Sequence, residues 1–138
     1  DRFVEEVDFF SIGTNDLIQY CLAVDRSNKD VASLYTGADP AVIRMIEMAV
    51  TMADRHNVPI GMCGQMCGNP QYTMLLLGIG LRSFSATPAA VPELKRVCRS
   101  VTIEQCERVA KHVKTLEHAR DIRTYLKEEL LKVLPKLS

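Results

Sequence analysis

Phe9-Phe10-Ser11-Ile12-Gly13-Thr14-Asn15-Asp16-Leu17 is the stretch that decides the fold of this chain. An apolar run stops abruptly at small, polar and acidic residues, and amphipathic sequence then resumes. A buried parallel strand that delivers chemistry at its C-terminal end reads in this way. A second unit of the same kind, Val58-Pro59-Ile60-Gly61-Met62-Cys63-Gly64-Gln65, ends on a cysteine instead of a carboxylate. Two strand ends with complementary chemistry imply one shared site.

Outward from these units, the apolar and polar spacing predicts three strands alternating with helices, the order of a parallel sheet with crossover helices. The strands are expected at Val7 to Ile12, Val58 to Met62, and Ser83 to Ser85. A short helix over Asn15 to Leu22 opens on the Gly13-Thr14 turn, and a polar loop runs from Asp25 to Asp39. Asp39-Pro40 then marks a helix start, Asp as N-cap and Pro at the first helical position. Its inner face is expected to carry Val42, Met45, Ile46, Ala49 and Ala53. Gly64 to Pro70 reads as a loop, and a short helix through Met74 and Leu77 ends at Gly78 and Gly80. A helix beginning near Pro92 turns Leu94, Val97, Cys98 and Val101 inward. Thr102 and Gln105 have the spacing of a capping box, opening a helix with Ile103, Cys106, Val109, Ala110 and Val113 on one face. Thr115 is the expected cap of a last helix carrying Ala119, Ile122, Leu126, Leu130 and Leu134.

Three parallel strands leave two open edges and one sheet face without a cover. A closed (β/α)₈ barrel typically takes about 250 residues, and this chain has 138. The economical reading is an α/β fold in which residues 1–138 are the C-terminal part of a (β/α)₈ TIM-type barrel, about three β/α units, with 102–138 a helical tail. A small three-layer α/β domain is the alternative. The start at Asp1, inside sequence that already reads as structure, is expected to be a cut end.

Seventeen basic residues balance seventeen acidic ones, so no global field attracts nucleic acid or an anionic membrane. The apolar fraction of 47% is ordinary, and no stretch approaches the roughly 20 apolar residues needed to cross a bilayer. Five cysteines without a paired C-x-x-C framework argue against a disulfide scaffold or zinc ribbon, and for a reducing, cytoplasmic setting.

Active residues of a barrel come from the loops after its strands, where Gly13 to Asp16 and Gly61 to Gln65 both fall. Asp16 can ligate a hard cation or stabilise the first helical turn by its charge. Thr14 and Asn15 sit at a helix N-terminus, suited either to a phosphate or to simple capping. Arg26 can close over an anion as a bidentate donor, or pair at the surface with Asp25 or Asp30. Cys63, between a strand and a glycine, is either a thiol aimed at the top of the barrel or a small buried hydrophobe. Cys67 reads as loop packing. His56 ends a predicted helix, where the dipole favours an imidazolium.

Together, Phe9 to Leu17, Leu22-Ala23-Val24-Asp25-Arg26, Asp39-Pro40-Ala41-Val42 and Gly61-Met62-Cys63-Gly64 resemble the C-terminal part of enzyme I, the phosphoenolpyruvate-protein phosphotransferase family of the bacterial sugar phosphotransferase system. The resemblance covers Val7 to about Arg99 and is weaker in the helical tail. The wider family of PEP-utilising enzymes, with phosphoenolpyruvate synthase and pyruvate phosphate dikinase, shares the barrel and much of these motifs. Gln65 stands where enzyme I usually has Glu and is more similar to the synthase. The resemblance implies that Asn15, Asp16 and Arg26 contact phosphoenolpyruvate, that Asp16 also ligates magnesium, and that Cys63 exchanges a proton with the enolate carbon. It further implies a phosphocarrier protein as partner, a homodimer, and inactivity of this part alone. A non-catalytic regulatory or dimerisation module is the reading from another class.

Overall fold

The structure, a computed structural model, describes residues 2–135. Its sheet has three parallel strands in sequence order, β1 (Phe10–Gly13), β2 (Ile60–Cys63) and β3 (Ser83–Phe84). Register pairs Phe10 with Ile60, Ile12 with Met62 and Gly13 with Cys63, and then Gly61 with Ser83 and Met62 with Phe84. Side chains alternate across a strand, so Ile12, Met62 and Phe84 form one row on the core face. Ser11, Gly61 and Ser83 form the next row on the opposite face, and Gly13 and Cys63 share that side. Ser11 and Ser83 are exposed, so no described element covers this face.

The helices are α1 (Thr14–Leu22), α2 (Pro40–Arg55), α3 (Gln65–Gly68), α4 (Pro70–Ile79), α5 (Val91–Ser100), α6 (Ile103–Val113) and α7 (Ala119–Val133). Short 3-10 turns occupy Arg2–Glu5 and Ala32–Leu34. The expected caps at Asp39 and Thr102 are present. The Asp39 carboxylate accepts from the Ala41 N–H at 2.8 Å, and Thr102 with Gln105 closes a reciprocal capping box. A helix apolar on all sides belongs in an interior. In α4 the whole run Tyr72 to Leu77 is buried, and α5, α6 and α7 pack around it. Met62, Leu75, Leu76, Val97, Cys106, Ile122 and Leu126 belong to one continuous core, so the two last helices share it with the sheet. No described helix is long and apolar enough to cross a membrane.

Several sequence-based expectations need correction. The strand expected from Val7 begins only at Phe10, whose N–H donates to the Pro59 carbonyl. Before Pro59 the neighbouring chain turns through Asn57 at φ 55°, so residues 7–9 have no strand to pair with. Gly64 to Pro70 is not all loop, because α3 lies within it. Thr115 does not cap the last helix. Its hydroxyl donates to the His112 carbonyl at the end of α6, and α7 starts after His118. On α2 the buried stripe is Val42, Ile43, Ile46, Val50 and Ala53, and Met45 is 47% exposed. Cys98 and Ile103 are likewise exposed, because α5 and α6 bury narrower stripes than their apolar spacing predicts.

Candidate functional site at the C-terminal rim of the sheet

Parallel strands bring their C-terminal ends to one rim, and the Gly13 to Cys63 register puts the two chemically distinctive turns side by side. Side chains then lock the turns together. Thr14, fully buried, donates its hydroxyl to the Cys63 carbonyl at 2.9 Å. The Asn15 side-chain oxygen accepts the Gln65 N–H at 3.2 Å. Gly64 lies beneath both contacts at φ 105° and ψ −177°, a conformation essentially reserved for glycine. A Cβ there would lie 2.3 Å from the Thr14 hydroxyl oxygen, so the clamp closes only over a residue without one.

Asn15, Cys63, Gly64, Gln65, Ser85 and Thr87 line an open depression of about 620 Å³ over this rim. The structure thus places Asn15 and Cys63 in one concavity, and Asp16 and Arg26 lie outside its lining. Asp16 is in the first turn of α1, exposed, and its carboxylate makes no hydrogen bond or ion pair among the described residues. Arg26 is exposed in the polar loop and forms no ion pair with Asp25 or Asp30 among the described residues. The Asp25 carboxylate instead accepts from the hydroxyl and N–H of Ser27, which hold it below the usual carboxylate range.

Tyr35 connects these flanking groups. Its hydroxyl donates to the Asn15 carbonyl at 3.1 Å. Burial pushes the phenol's pKa up, the positive charge of Arg26 draws it down, and the negative charge of Asp16 adds to the rise. Both charged groups therefore act on the hydroxyl that donates to the Asn15 carbonyl. Nothing in the sequence around Tyr35 or Thr14 marks either hydroxyl for this bridging role. No local pattern announces contacts made across 20 and 49 residues.

The neighbouring cysteines differ sharply. Cys67 is 2% exposed, and burial foremost, with the adjacent Cys63 thiol second, pushes its pKa up to about 12. It stays protonated and inert, in agreement with a packing role. Cys63 is half-buried and faces the depression. No cluster of three or more His, Cys, Asp or Glu side chains suited to a metal occurs among the described residues.

Known proteins share this arrangement of sequence. The family model for the PEP-binding domain of PEP-utilising enzymes matches residues 1–103. A phosphoenolpyruvate-protein phosphotransferase of Buchnera aphidicola subsp. Acyrthosiphon pisum is 40% identical over 122 residues, which is 88% of this chain and 21% of the relative. Another of that name, from Cupriavidus necator, is 47% identical over 107 residues, covering 78% of this chain and 18% of its own. Multiphosphoryl transfer protein 1 of Escherichia coli K12 is 39% identical over 126 residues, 91% of this chain and 15% of the relative. The chain spans about a fifth or less of the length of the curated relatives it matches. With three quarters of its residues inside that family match, this chain belongs to the PEP-utilising enzymes, within their PEP-binding domain.

Proposed function

We propose that the chain is the C-terminal part of the phosphoenolpyruvate-binding (β/α)₈ barrel of a phosphoenolpyruvate-protein phosphotransferase. The parent enzyme moves phosphate from phosphoenolpyruvate to one of its own histidines and on to a phosphocarrier protein, releasing pyruvate. The observation that carries this reading is the meeting of Asn15 and Cys63 at one depression on the rim. Among the described residues, two free strand edges and an uncovered sheet face of small side chains support the barrel, because further strands would close both.

In this reading Asn15 and the first N–H groups of α1 orient the substrate's anionic groups, and Arg26 closes over them as a bidentate donor. Breaking the bond between phosphorus and the bridging oxygen leaves that oxygen's electron pair on an enolate. Cys63 then donates its thiol proton to the methylene carbon, giving pyruvate and a thiolate that is reprotonated from water. The open depression gives that thiolate access to solvent.

Magnesium is compatible with the donor set. The ion is usually held by one or two carboxylates plus substrate phosphate oxygens, and the unpartnered Asp16 offers one such carboxylate. When bound it supplies positive charge beside the phosphate and enolate oxygens. Five free thiols support a cytoplasmic setting. We further propose a homodimer formed through the barrel, and no turnover by residues 1–138 alone.

The test is Cys63→Ala in the full-length enzyme. Pyruvate formation should fall by roughly 10²- to 10⁴-fold, the usual contribution of a positioned proton donor, with little change in melting temperature. Undiminished turnover would reduce Cys63 to packing and remove the central assignment.

A further inference from the structure

We infer that Tyr35 is a positioning residue for phosphoenolpyruvate: by donating its hydroxyl to the Asn15 carbonyl, it ties the loop that carries Arg26 to the first turn of α1. The inference rests on the function proposed above and adds a residue to it. From Asp25 to Ser33 the loop is largely exposed, and its only regular structure is the 3-10 turn Ala32–Leu34. Every other hydrogen bond made by residues 25–35 closes within the loop, among the described residues. Among the described residues Tyr35 is thus the one hydrogen-bonded tie from residues 25–35 back to α1, beyond the Val24 N–H that closes the helix end on Gln19, and Arg26 lies in the segment between these two ties.

The same bond acts on Asn15. A carbonyl oxygen has two lone pairs, and within α1 one accepts a helical N–H while the other takes the Tyr35 hydroxyl. The Asn15 side-chain oxygen is held by the Gln65 N–H. With backbone and side chain both fixed, the side-chain NH₂ of Asn15 remains as a donor beside Cys63. Losing the Tyr35 hydroxyl would free the arginine loop and loosen Asn15, while the ring would still fill its half-buried place. Substrate binding should suffer more than the chemical step, because Cys63 is held by its own strand.

The experiment is Tyr35→Phe in the full-length enzyme, alone and combined with Arg26→Ala. KM for phosphoenolpyruvate should rise roughly tenfold, about 1.4 kcal/mol, the scale of one hydrogen bond. kcat should stay within about twofold, and the melting temperature should barely move. In the Arg26→Ala background the added Tyr35→Phe should change KM less than about threefold, since most of its effect passes through the arginine. An unchanged KM in Tyr35→Phe, or the same tenfold rise in both backgrounds, overturns the inference and leaves the proposed function standing. A wild-type enzyme that does not bind phosphoenolpyruvate overturns the function and this inference with it.

Discussion

Gly64 carries a constraint that its neighbours in sequence do not reveal. Its backbone angles belong to glycine, and the Thr14 hydroxyl occupies the space a Cβ would need. Gly64→Ala should therefore cost about 2–4 kcal/mol, backbone strain plus a disturbed buried hydrogen bond. Gly13, the residue paired with Cys63, makes the control. It has φ −84°, and a Cβ there meets nothing within 4 Å, so Gly13→Ala should fall within roughly 1 kcal/mol of wild type. Urea denaturation of the three proteins checks the pair, and equal costs would mean that the clamp between the two turns is not tight. That Asn15 and Cys63 follow or end successive strands was legible in the sequence. The hydroxyls of Thr14 and Tyr35 that hold them were not, because a hydrogen bond across the fold leaves no mark on local periodicity.

Among the elements, α4 shows how packing overrules propensity. Gly78 sits inside the helix, where alanine would ordinarily gain about 1 kcal/mol. Here a Cβ would come within 2.0 Å of the Cys106 carbonyl oxygen on α6 and 2.9 Å of the Ala110 Cβ. The backbones of α4 and α6 meet at this point. Gly78→Ala should instead destabilise by about 3 kcal/mol, as overpacking a close helix crossing does. A lowered urea midpoint with an unchanged m-value would record it, whereas a stabilised variant would show that the two helices separate at little cost. Glycine near the end of a helical pattern reads from sequence as a terminator, and Gly80 fills that role at φ 116°. That Gly78 is a contact surface followed only from the position of α6.

For the whole molecule, the consequential feature is the sheet face bearing Ser11, Gly61 and Ser83, together with the outer edges of β1 and β3, unpaired among the described residues. Phe9, 67% exposed, immediately precedes β1 and lines one concavity with Ser11, Gly61 and Ser83. Unpaired edges and uncovered faces drive association. The isolated chain should accordingly self-associate in a concentration-dependent way, with a light-scattering mass above that of one copy at about 100 μM. A monodisperse monomer at that concentration would show the face to be self-sufficient and would weaken the barrel reading.

Local physical chemistry in the sequence determined the strand-helix alternation, the Asp39 and Thr102 caps, and the two turns that meet at the rim, since each depends on neighbours a few residues apart. Tertiary structure alone decided how far β1 extends, which residues of α2 and α5 are buried, and how the last helices join the core. It also decided that Tyr35 and Thr14 hold the rim. Strand pairing, burial and long-range hydrogen bonds are properties of what a segment packs against, and that partner lies elsewhere in the chain.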